Sequence, residues 1–386
     1  MTPPVAALSE PPLSQQPRED VYVVGRAWID VDDHDDRQLD ELIFDACSQA
    51  LRDAGVRRHQ IGFSVTSSLD LYDGRSISNA LTAPAAAGYL NDELRVEGDA
   101  SSSVVLAMAH LISGHADMAI VTAINVPEAG STAEPAVRQL REHVSSYTFD
   151  SHMDRPVGMR AAVTLGMHAA RRLDSGAVTW DRLVDRTTTD INRGAVSGRG
   201  RRSPVTADDV RSSPMAVAPL PQLMLPAESA GAGAVVLAYG VAARRCPRPL
   251  ARLTGWGSAT GQPPANRTWL DEPAAAAARA ASKAYERAGL TDPSTVAGLE
   301  MTDLSPALSD ELQGALQLAH LPDQAVNVSG GVRANHPGIA SGLLRLVDAV
   351  ERVSDGATGG PLVVHGVDDL MGLVSGTANV FVLEAS

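Results

Sequence analysis

An internal duplication is the feature that most constrains the fold. Residues 50–56 (ALRDAGV) match residues 284–290 (AYERAGL), and each segment ends a helical pattern shortly before a strand pattern. Farther along, RVEGDASSS (95–103) and AVNVSGG (325–331) each precede an apolar helical pattern. SGHADMAIV and DGATGGPLVV form a third pair, at a larger offset because the second helix is longer. Such self-similarity predicts two βαβ-type modules packed as a pseudo-dimer, with a shared site at their helix amino termini.

Hydrophobic periodicity places the elements within each half. The β-branched run Val21–Ile29 predicts a strand, and apolar residues at helical spacing predict a helix over Leu39–Leu51 that ends at Gly55. Further strands are predicted at Ile61–Thr66, Leu94–Gly98, Met118–Val126, Gly231–Tyr239, Ala251–Trp256, Val296–Met301, Pro361–Val367 and Asn379–Glu384. Further helices are predicted at Ile77–Tyr89, Val104–Ile112, Glu272–Ala288 and Ser309–Leu318. This alternation predicts an α/β fold with a mostly parallel sheet.

A long segment interrupts the alternation between the two halves. Residues 127–230 contain one clear helical pattern, Val157–Leu173, within loops rich in Pro, Ser, Arg and Asp. A long segment of this kind inside a compact protein is typical of a functional insertion. The predicted organisation is a disordered leader (1–20), an N-terminal half (21–126 with 231–247), the insertion (127–230) and a C-terminal half (248–386).

Composition excludes several classes of function. The formal charge of −14 argues against general nucleic-acid binding, and no apolar run is long enough to insert into a membrane. Two cysteines, Cys47 and Cys246, are too few and too far apart for a disulfide framework or a zinc site. The acidic run Asp30–Asp36 lacks the glycine and glutamate spacing of an EF-hand, which favours a solvated turn. These features predict a reduced, cytoplasmic protein with no metal site.

The stretch from Ala325 to Gly342 (AVNVSGGVRANHPGIASG) has the strongest local pattern. It predicts a short strand, a glycine-rich loop and then a helix, and its glycines indicate tight turns or close approach of another group. His336, next to Pro337 in the middle of this loop, is placed to meet a ligand.

Several motifs in fixed order identify a family resemblance. The motifs are VEG at 96–98, SGHAD at 113–117, SSPMAVAPL at 212–220, GAGAVVLA at 231–238, and NVSGG with HP at 327–337. Together they resemble the thiolase superfamily, particularly the sterol-carrier and archaeal-type thiolase-like proteins, over nearly all of 21–384. The resemblance implies a five-layered αβαβα fold of two duplicated halves, with a loop domain over the site. It also implies binding of coenzyme A thioesters, and assembly into dimers or dimers of dimers.

The chain departs from the family at its catalytic positions. The nucleophilic cysteine of a thiolase matches Ala100, and the short helix leaves the register around Asp99–Ser103 open. Helix capping is the favoured role of Ser101, Ser102 and Ser103, since a hydroxyl nucleophile needs a paired base. The second family cysteine falls near Gly372–Val374, which has no thiol.

The other family positions are only partly retained. The oxyanion-hole Asn or His matches Thr302, followed by an acidic residue at Asp303. His336 is retained, either as a working base or as an inherited structural histidine. We predict His336, Asp303 and Thr302 as the candidate catalytic residues, and no tightly bound cofactor.

An arginine cluster in the insertion is the candidate site for the phosphates of coenzyme A. Arg199, Arg201 and Arg202 form a basic patch on an acidic chain, and guanidinium groups suit bidentate phosphate contact. Ser229 is assigned to the same ligand. A solvated loop or a docking site for a partner is the alternative.

Three functions remain open at this point. The first is a thiolase-like subunit without Claisen activity, a pseudoenzyme of lipid or polyketide metabolism. It would bind acyl-CoA or acyl carrier protein, as a homodimer or in a heteromer with an active thiolase, a ketosynthase or an OB-fold acyl-CoA-binding protein. The second is an enzyme of altered chemistry, a retro-aldolase or acyltransferase, with His336 as base. The third is a plain acyl-CoA-binding protein.

Overall fold

The computed structural model describes residues 20–70, 80, 82–127, 130–261, 268–356, 358–373 and 376–386. The predicted disordered leader therefore lies outside the described residues, apart from Asp20. The helix predicted over Ile77–Tyr89 falls partly outside them, and the described residues 83–87 form turns.

Strands and helices alternate through most of the described chain. The strands are β1 (Val21–Val31), β2 (Phe63–Ser67), β3 (Asp92–Val96), β4 (Met118–Asn125), β5 (Met215–Val217), β6 (Leu220–Pro221), β7 (Ala230–Tyr239), β8 (Ala251–Thr260), β9 (Gly298–Met301), β10 (Leu362–Val367) and β11 (Thr377–Glu384). The helices are α1 (Leu39–Ala54), α2 (Ala100–Ile112), α3 (Glu134–Ser146), α4 (Ala161–Asp174), α5 (Trp180–Ser197), α6 (Ala207–Ser212), α7 (Gly240–Arg245), α8 (Ala275–Ala288), α9 (Pro306–Ala315), α10 (Gly331–Ala334) and α11 (Ser341–Ser354). Within the described ranges, no helix is both long and apolar enough to cross a membrane.

Nine strands form one continuous sheet, in the order β3-β2-β4-β7-β1-β8-β11-β10-β9. Its two halves join where Val21–Val23 of β1 pairs with Ala251–Leu253 of β8. Three of the neighbouring pairs are parallel, namely β2 with β3, β2 with β4, and β9 with β10. The other five are antiparallel, so the expectation of a mostly parallel sheet is wrong. Periodicity identifies strands but not their direction, and the described residues between β10 and β11 form no crossover helix.

Helices cover both faces of each half-sheet. Helices α2 and α11 lie between the halves, where Ala107, Leu111, Leu343 and Val350 share one apolar cluster with both half-sheets. Helix α1 covers the outer face of the N-terminal half, and α8 and α9 cover the outer face of the C-terminal half. The result is the predicted five-layered α/β arrangement, and its central layer brings the amino ends of α2 and α11 together.

The two halves repeat one close helix-on-strand contact. Gly25 of β1 lies directly beneath α1 at Ala50 and Ala54, and Gly255 of β8 lies beneath α8 in the same way, at Ala284 and Ala288. Both helices then end at a left-handed glycine. The sequence match between residues 50–56 and 284–290 therefore corresponds to a repeated contact in three dimensions.

Replacing either glycine with alanine should destabilise the protein by a similar amount. A Cβ atom at Gly25 or Gly255 would overlap helix backbone, so G25A and G255A should each lower the free energy of unfolding by about 1–3 kcal/mol. Urea titration measures this. Gly314 of α9 is the matched control, because a Cβ atom added there would meet no other atom within 4 Å and alanine should stabilise that helix by about 0.5–1 kcal/mol. Equal stability of all three variants would contradict the close packing.

The insertion is more structured than its sequence indicates. It contains α3, α4, α5 and α6 and the small β5–β6 sheet, so the expectation of a single helix is wrong. Helix α4 corresponds to the predicted Val157–Leu173. Helix α5 has only three bulky apolar residues on its buried face, Leu183, Val184 and Ile191, and Arg186, Thr187 and Asp190 occupy much of the rest.

The strand predicted at the start of the 325–342 stretch is absent. Val326 makes only an isolated bridge with Leu299. Gly330 and Gly331 both have positive φ, 96° and 58°, and they turn the chain into α10. The predicted loop and the following helix α11 are present.

Candidate functional site

The amino ends of α2 and α11 meet at one carboxylate. Helix α2 begins at Ala100, four residues earlier than predicted, and Asp99 is its N-cap. The Asp99 carboxylate accepts the N–H of Ser101 at 3.0 Å and the N–H of Gly342, in α11, at 2.9 Å. It therefore caps two helices at once, and Ala100 is the first residue of α2, fully buried in the central apolar layer.

Neighbouring polar groups occupy the space around this carboxylate. The Ser101 hydroxyl donates to Asp99, and the Asn379 amide donates to Ser101 Oγ at 2.9 Å and to Ser102 Oγ at 3.0 Å. Gly342 and Gly366 complete the wall, and a Cβ atom on either would overlap Asp99 or Ser101. The predicted capping role of the serines is only part of what they do, because Ser101 also bridges β11 to the carboxylate.

Burial perturbs the carboxylic acids in this region. Desolvation raises the pKa of Asp99 to about 7, although the Ser101 hydroxyl and the N–H groups of Gly342 and Ser101 favour its ionised form. Burial and the charge of Asp369 raise the pKa of Asp368 to about 6. Groups with these pKa values exchange protons near neutral pH, as functional carboxylic acids do.

His336 lies in an extended segment between α10 and the short 3₁₀ turn Gly338–Ala340. Its backbone forms two hydrogen bonds with the segment before β7: His336 N–H donates to Ala227, and Ser229 N–H donates to His336. Its side chain has no solvent exposure. The loop position predicted from sequence is thus confirmed, but the imidazole faces the protein interior.

Both nitrogens of the His336 ring are engaged. Nε2 lies 2.7 Å from Arg141 Nη1 and 2.8 Å from an Asp369 oxygen, and Nδ1 lies 3.2 Å from Ser341 Oγ. A guanidinium group only donates hydrogen bonds and an ionised carboxylate only accepts them, so the contact with Arg141 uses the Nε2 lone pair whereas the contact with Asp369 uses a proton on Nε2. Arg141 and Asp369 therefore compete for the same ring nitrogen, and Nδ1 is left to Ser341.

Arg141, from α3 of the insertion, is the centre of this cluster. It lies 2.8 Å from the Asp369 carboxylate and 3.4 Å from that of Glu228, and it donates to the Asp369 carbonyl at 2.9 Å. Burial opposes ionisation of Asp369, but Arg141 and His336 hold its pKa at about 2. Neither Arg141 nor Asp369 belongs to a motif, so sequence reasoning missed both.

Asp303 has partners other than His336. Its carboxylate accepts from Arg333 Nη2 at 2.5 Å, from Asn327 Nδ2 at 2.9 Å, and from the Ser309 hydroxyl. Arg333 also pairs with Asp190, and all of these side chains are buried. This geometry is that of a buried structural ion network.

Thr302 faces a cavity of about 50 Å³ that is mainly apolar. Its lining includes Trp269, Ala277, Leu304, Leu308, Leu312 and Leu373. Thr302 Oγ1 and His365 Nδ1 also line it, and neither has a hydrogen-bond partner among the described residues. Burial lowers the pKa of His365 to about 4, so that its ring is neutral. His365, which sequence reasoning missed, thus joins Thr302 as an unpartnered polar group in an apolar cavity, which is smaller than the roughly 300–1,000 Å³ of a typical small-molecule site.

Successive residues of β10 face opposite sides of the sheet, so this strand borders both the Asp99 cluster and the apolar cavity. Gly366 lies against Ser101, whereas His365 and Val367 line the cavity on the opposite face. The second cysteine position of the family was placed at Gly372–Val374, of which Val374 lies outside the described residues. Gly372 packs against Thr164 and Ala161, so the β10 residue that reaches the Asp99 cluster is Gly366.

The predicted phosphate-binding residues already have partners. Arg199 pairs with Asp348 and Glu351, each at 2.8 Å. Arg202 pairs with Glu134 at 2.5 Å. Binding of a phosphate by either would compete with these carboxylates.

The other two predicted residues lie beside a second cavity. Arg201 Nη2 donates to the Val31 carbonyl at 3.0 Å, and Ser229 Oγ donates to Asn335 at 2.7 Å. Both residues line a cavity whose other members are mostly acidic.

The two cysteines lie in a different layer of the fold from the Asp99 and His336 clusters. Cys47 and Cys246 both belong to the apolar cluster on the outer face of the N-terminal half. Burial raises the pKa of Cys47 to about 11, with the Thr122 hydroxyl 3.2 Å away. A thiol in such surroundings is unreactive.

Comparison of the whole chain with solved structures finds many similar chains, and two of them are as follows. One is a chain of a structure described as "Ltp2-ChsH2(DUF35) aldolase", with a TM-score of 0.72, 17% identity, and coverage of 95% of this chain and 98% of that one. The other is the Acat5 thiolase from Ascaris suum in complex with coenzyme A, with a TM-score of 0.72, 14% identity, and coverage of 95% and 100%. No protein-family model and no curated protein sequence matches the chain. The structural matches confirm that this protein has a thiolase-like fold.

Proposed function

We propose that this protein is a thiolase-like subunit that binds acyl thioesters of coenzyme A or of an acyl carrier protein and performs no Claisen chemistry itself. The observation that carries the proposal is the Asp99 carboxylate at the start of α2. In an acyl-transferring thiolase that position requires a nucleophile, because a thiolate there is stabilised by the helix dipole.

The groups at this position are unsuited to nucleophilic attack. Ala100 has no reactive atom, and the Ser101 hydroxyl is engaged with Asp99 and Asn379. Asp99 and Ser101 are 1% and 0% exposed. A thioester carbonyl would have to come within about 3–3.5 Å of the attacking atom, which these packed helix ends do not permit without rearrangement.

His336 is similarly constrained as a base. A general base must offer a lone pair within hydrogen-bond reach of the substrate proton. Nε2 of His336 is instead in contact with Arg141 and Asp369, and the ring is wholly buried. The imidazole therefore acts as a structural link between the insertion and α11.

The apolar cavity supports binding of an acyl group. Its leucine, alanine and tryptophan lining suits an alkyl chain, and Thr302 and His365 offer hydrogen bonds to a carbonyl or hydroxyl group. Two similar structures support the ligand and the assembly: the Ascaris thiolase was solved with coenzyme A, and the aldolase is described by two named components. We therefore place this chain in a heteromer with an active thiolase or ketosynthase or with an OB-fold acyl-CoA-binding protein.

Filling the apolar cavity should separate acyl recognition from coenzyme A recognition. In L308W the indole would occupy the acyl space, so we expect at least a tenfold weaker affinity for butyryl-CoA and unchanged affinity for free coenzyme A, measured by calorimetry. V196W is the control, because Val196 is 90% exposed. Equal butyryl-CoA affinity of both variants and the wild type would exclude this cavity as the acyl site.

A second candidate is a carbon–carbon lyase acting on a β-hydroxyacyl-CoA. Thr302 and His365 favour it, because their unpartnered Oγ1 and Nδ1 atoms lie in an apolar cavity and would stabilise an enolate oxygen in the tautomer that has a proton on Nδ1, and retro-aldol cleavage needs no acyl-enzyme. Incubation of the purified chain with a β-hydroxyacyl-CoA distinguishes the two. Our proposal predicts no cleavage, whereas cleavage that H365F abolishes would establish the lyase.

A further inference from the structure

A second cavity, of about 390 Å³, is lined by Glu228, a partner of Arg141, and has a strongly acidic wall. Four carboxylate side chains line it, with Arg201 as the single arginine: Asp32, Asp33, Glu134 and Glu228. Thr132 and Ser229 add hydroxyl groups. This acidic cavity is separate from the apolar cavity that contains Thr302 and His365.

Glu228 is the member that points to a ligand. Its side chain is 5% exposed, and its Oε2 atom has no hydrogen-bond partner among the described residues. The other oxygen, Oε1, lies 3.4 Å from Arg141 Nε. A buried carboxylate oxygen without a partner costs free energy, and an occupant of the cavity with N–H donors would remove that cost.

The charges around Glu228 favour a cationic occupant. Arg141 lies between two buried carboxylates, those of Glu228 and Asp369, so one guanidinium group serves both. Elsewhere in the wall, Glu134 pairs with Arg202 and Arg138. Asp33 accepts hydrogen bonds from the Ser131 and Thr132 hydroxyls and from two backbone N–H groups. Glu228 is thus the buried wall carboxylate with an oxygen that has no hydrogen-bond partner among the described residues.

The arrangement suits an organic cation better than a metal ion. The described residues include no group of three His, Cys, Asp or Glu side chains that could hold a metal ion, so the carboxylates of the acidic cavity do not converge on one point. A guanidinium or primary ammonium group presents several N–H donors in different directions and can reach separated acceptors in a cavity of this size.

We infer that the acidic cavity binds a guanidinium or primary ammonium group, with Glu228 as its principal partner. The ligand is a free amine or an arginine or lysine side chain of another protein, since both present the same chemistry. Glu228 also forms an isolated β-bridge with His336 and contacts Arg141, which donates to His336. A ligand in the acidic cavity would therefore contact Glu228, which itself contacts the histidine cluster. This inference does not depend on the proposed function.

Calorimetry with defined cations tests the inference. The probes are agmatine, N-acetylarginine amide, and tetramethylammonium, a cation that donates no hydrogen bonds, all at equal ionic strength. We expect one equivalent of agmatine or of the arginine amide to bind, and no binding of tetramethylammonium. Tighter binding of agmatine would indicate a free amine, and tighter binding of the arginine amide a protein side chain. Equal binding of all three probes would overturn the inference.

Variants locate the site. E228Q keeps the shape of the side chain and should weaken binding at least tenfold. D32N, at an exposed position of the same wall, should weaken binding of the cation about threefold. This variant tests the assignment if E228Q fails to fold. D208N, whose side chain is 96% exposed on α6, should bind as the wild type does. Unchanged affinity in a folded E228Q or in D32N would overturn the assignment.

Discussion

Replacing Arg333 with methionine should lower the free energy of unfolding by about 3–5 kcal/mol, because it leaves two buried carboxylates without their shared cation. Arg333 is fully buried and lies 2.5 Å from both Asp190 and Asp303. The neighbouring Arg186 lies 3.1 Å from Asp190 but 3.9 Å from Asp303, so it cannot replace the lost contact at Asp303. Urea unfolding followed by circular dichroism measures the change.

A surface arginine provides the control for this prediction. Arg211 pairs with Asp181 at 2.8 Å, and its side chain is 39% exposed. R211M should therefore cost less than about 1 kcal/mol. If R333M were as stable as R211M, the ion pairs of Arg333 with Asp190 and Asp303 would not stabilise the segment before His336.

The stability that Asp99 contributes should fall as the pH rises from about 4 to about 7. The pKa of Asp99 is about 7 in the folded protein, against an ordinary value of 3.8. The folded state therefore keeps its proton where the unfolded chain has lost it, so this contribution is greatest below pH 4, and about 4 kcal/mol of it is lost by the time the pH passes 7. The lowered pKa of His365 has the opposite effect between about pH 4 and 6.5, so urea midpoints of the wild type and of D99N are compared at each pH from 4 to 8.

Two asparagine variants identify the groups responsible. D99N removes the titration, so its stability should change less with pH across the whole range from 4 to 7. D368N should flatten the profile only up to about pH 6, because the pKa of Asp368 is about 6. A D99N profile as steep as that of the wild type would show that Asp99 is ionised throughout this range, and that its burial is less complete than described.

Sequence periodicity and the internal repeat predicted an α/β chain of two similar halves, and the family resemblance implied their five-layered arrangement. The match between residues 50–56 and 284–290 exists because both segments end helices packed directly on a glycine, Gly25 or Gly255. Strand direction was not predictable, since a β-branched run has the same pattern in a parallel and an antiparallel sheet. Helix α5 was missed because buried ion pairs, such as Arg186 with Asp190, replace apolar residues on its inner face.

The candidate site was predictable only where it retains a motif. His336 lies in a glycine-rich loop with a recognisable pattern, and its position was found from sequence. Its partners Arg141 and Asp369 are 195 and 33 residues away along the chain and are ordinary charged residues in sequence. The role of Asp99 could not be predicted, because the sequence pattern places the start of α2 too late. Capping by Asp99 extends α2 across Ala100–Ser103, residues that have no apolar period.

Exchange of the acyl α-proton distinguishes a binding subunit from an enzyme, because Claisen and aldol chemistry both require a base that forms the enolate. Butyryl-CoA in D₂O is incubated with the purified chain, and loss of the α-proton signal is followed by NMR, with intact-mass measurement of any acyl-enzyme. We predict that binding occurs without exchange above the buffer rate and without an acyl adduct. Exchange that disappears in H336A would contradict the account, since it would show that the buried imidazole is released from Arg141 and acts as a base.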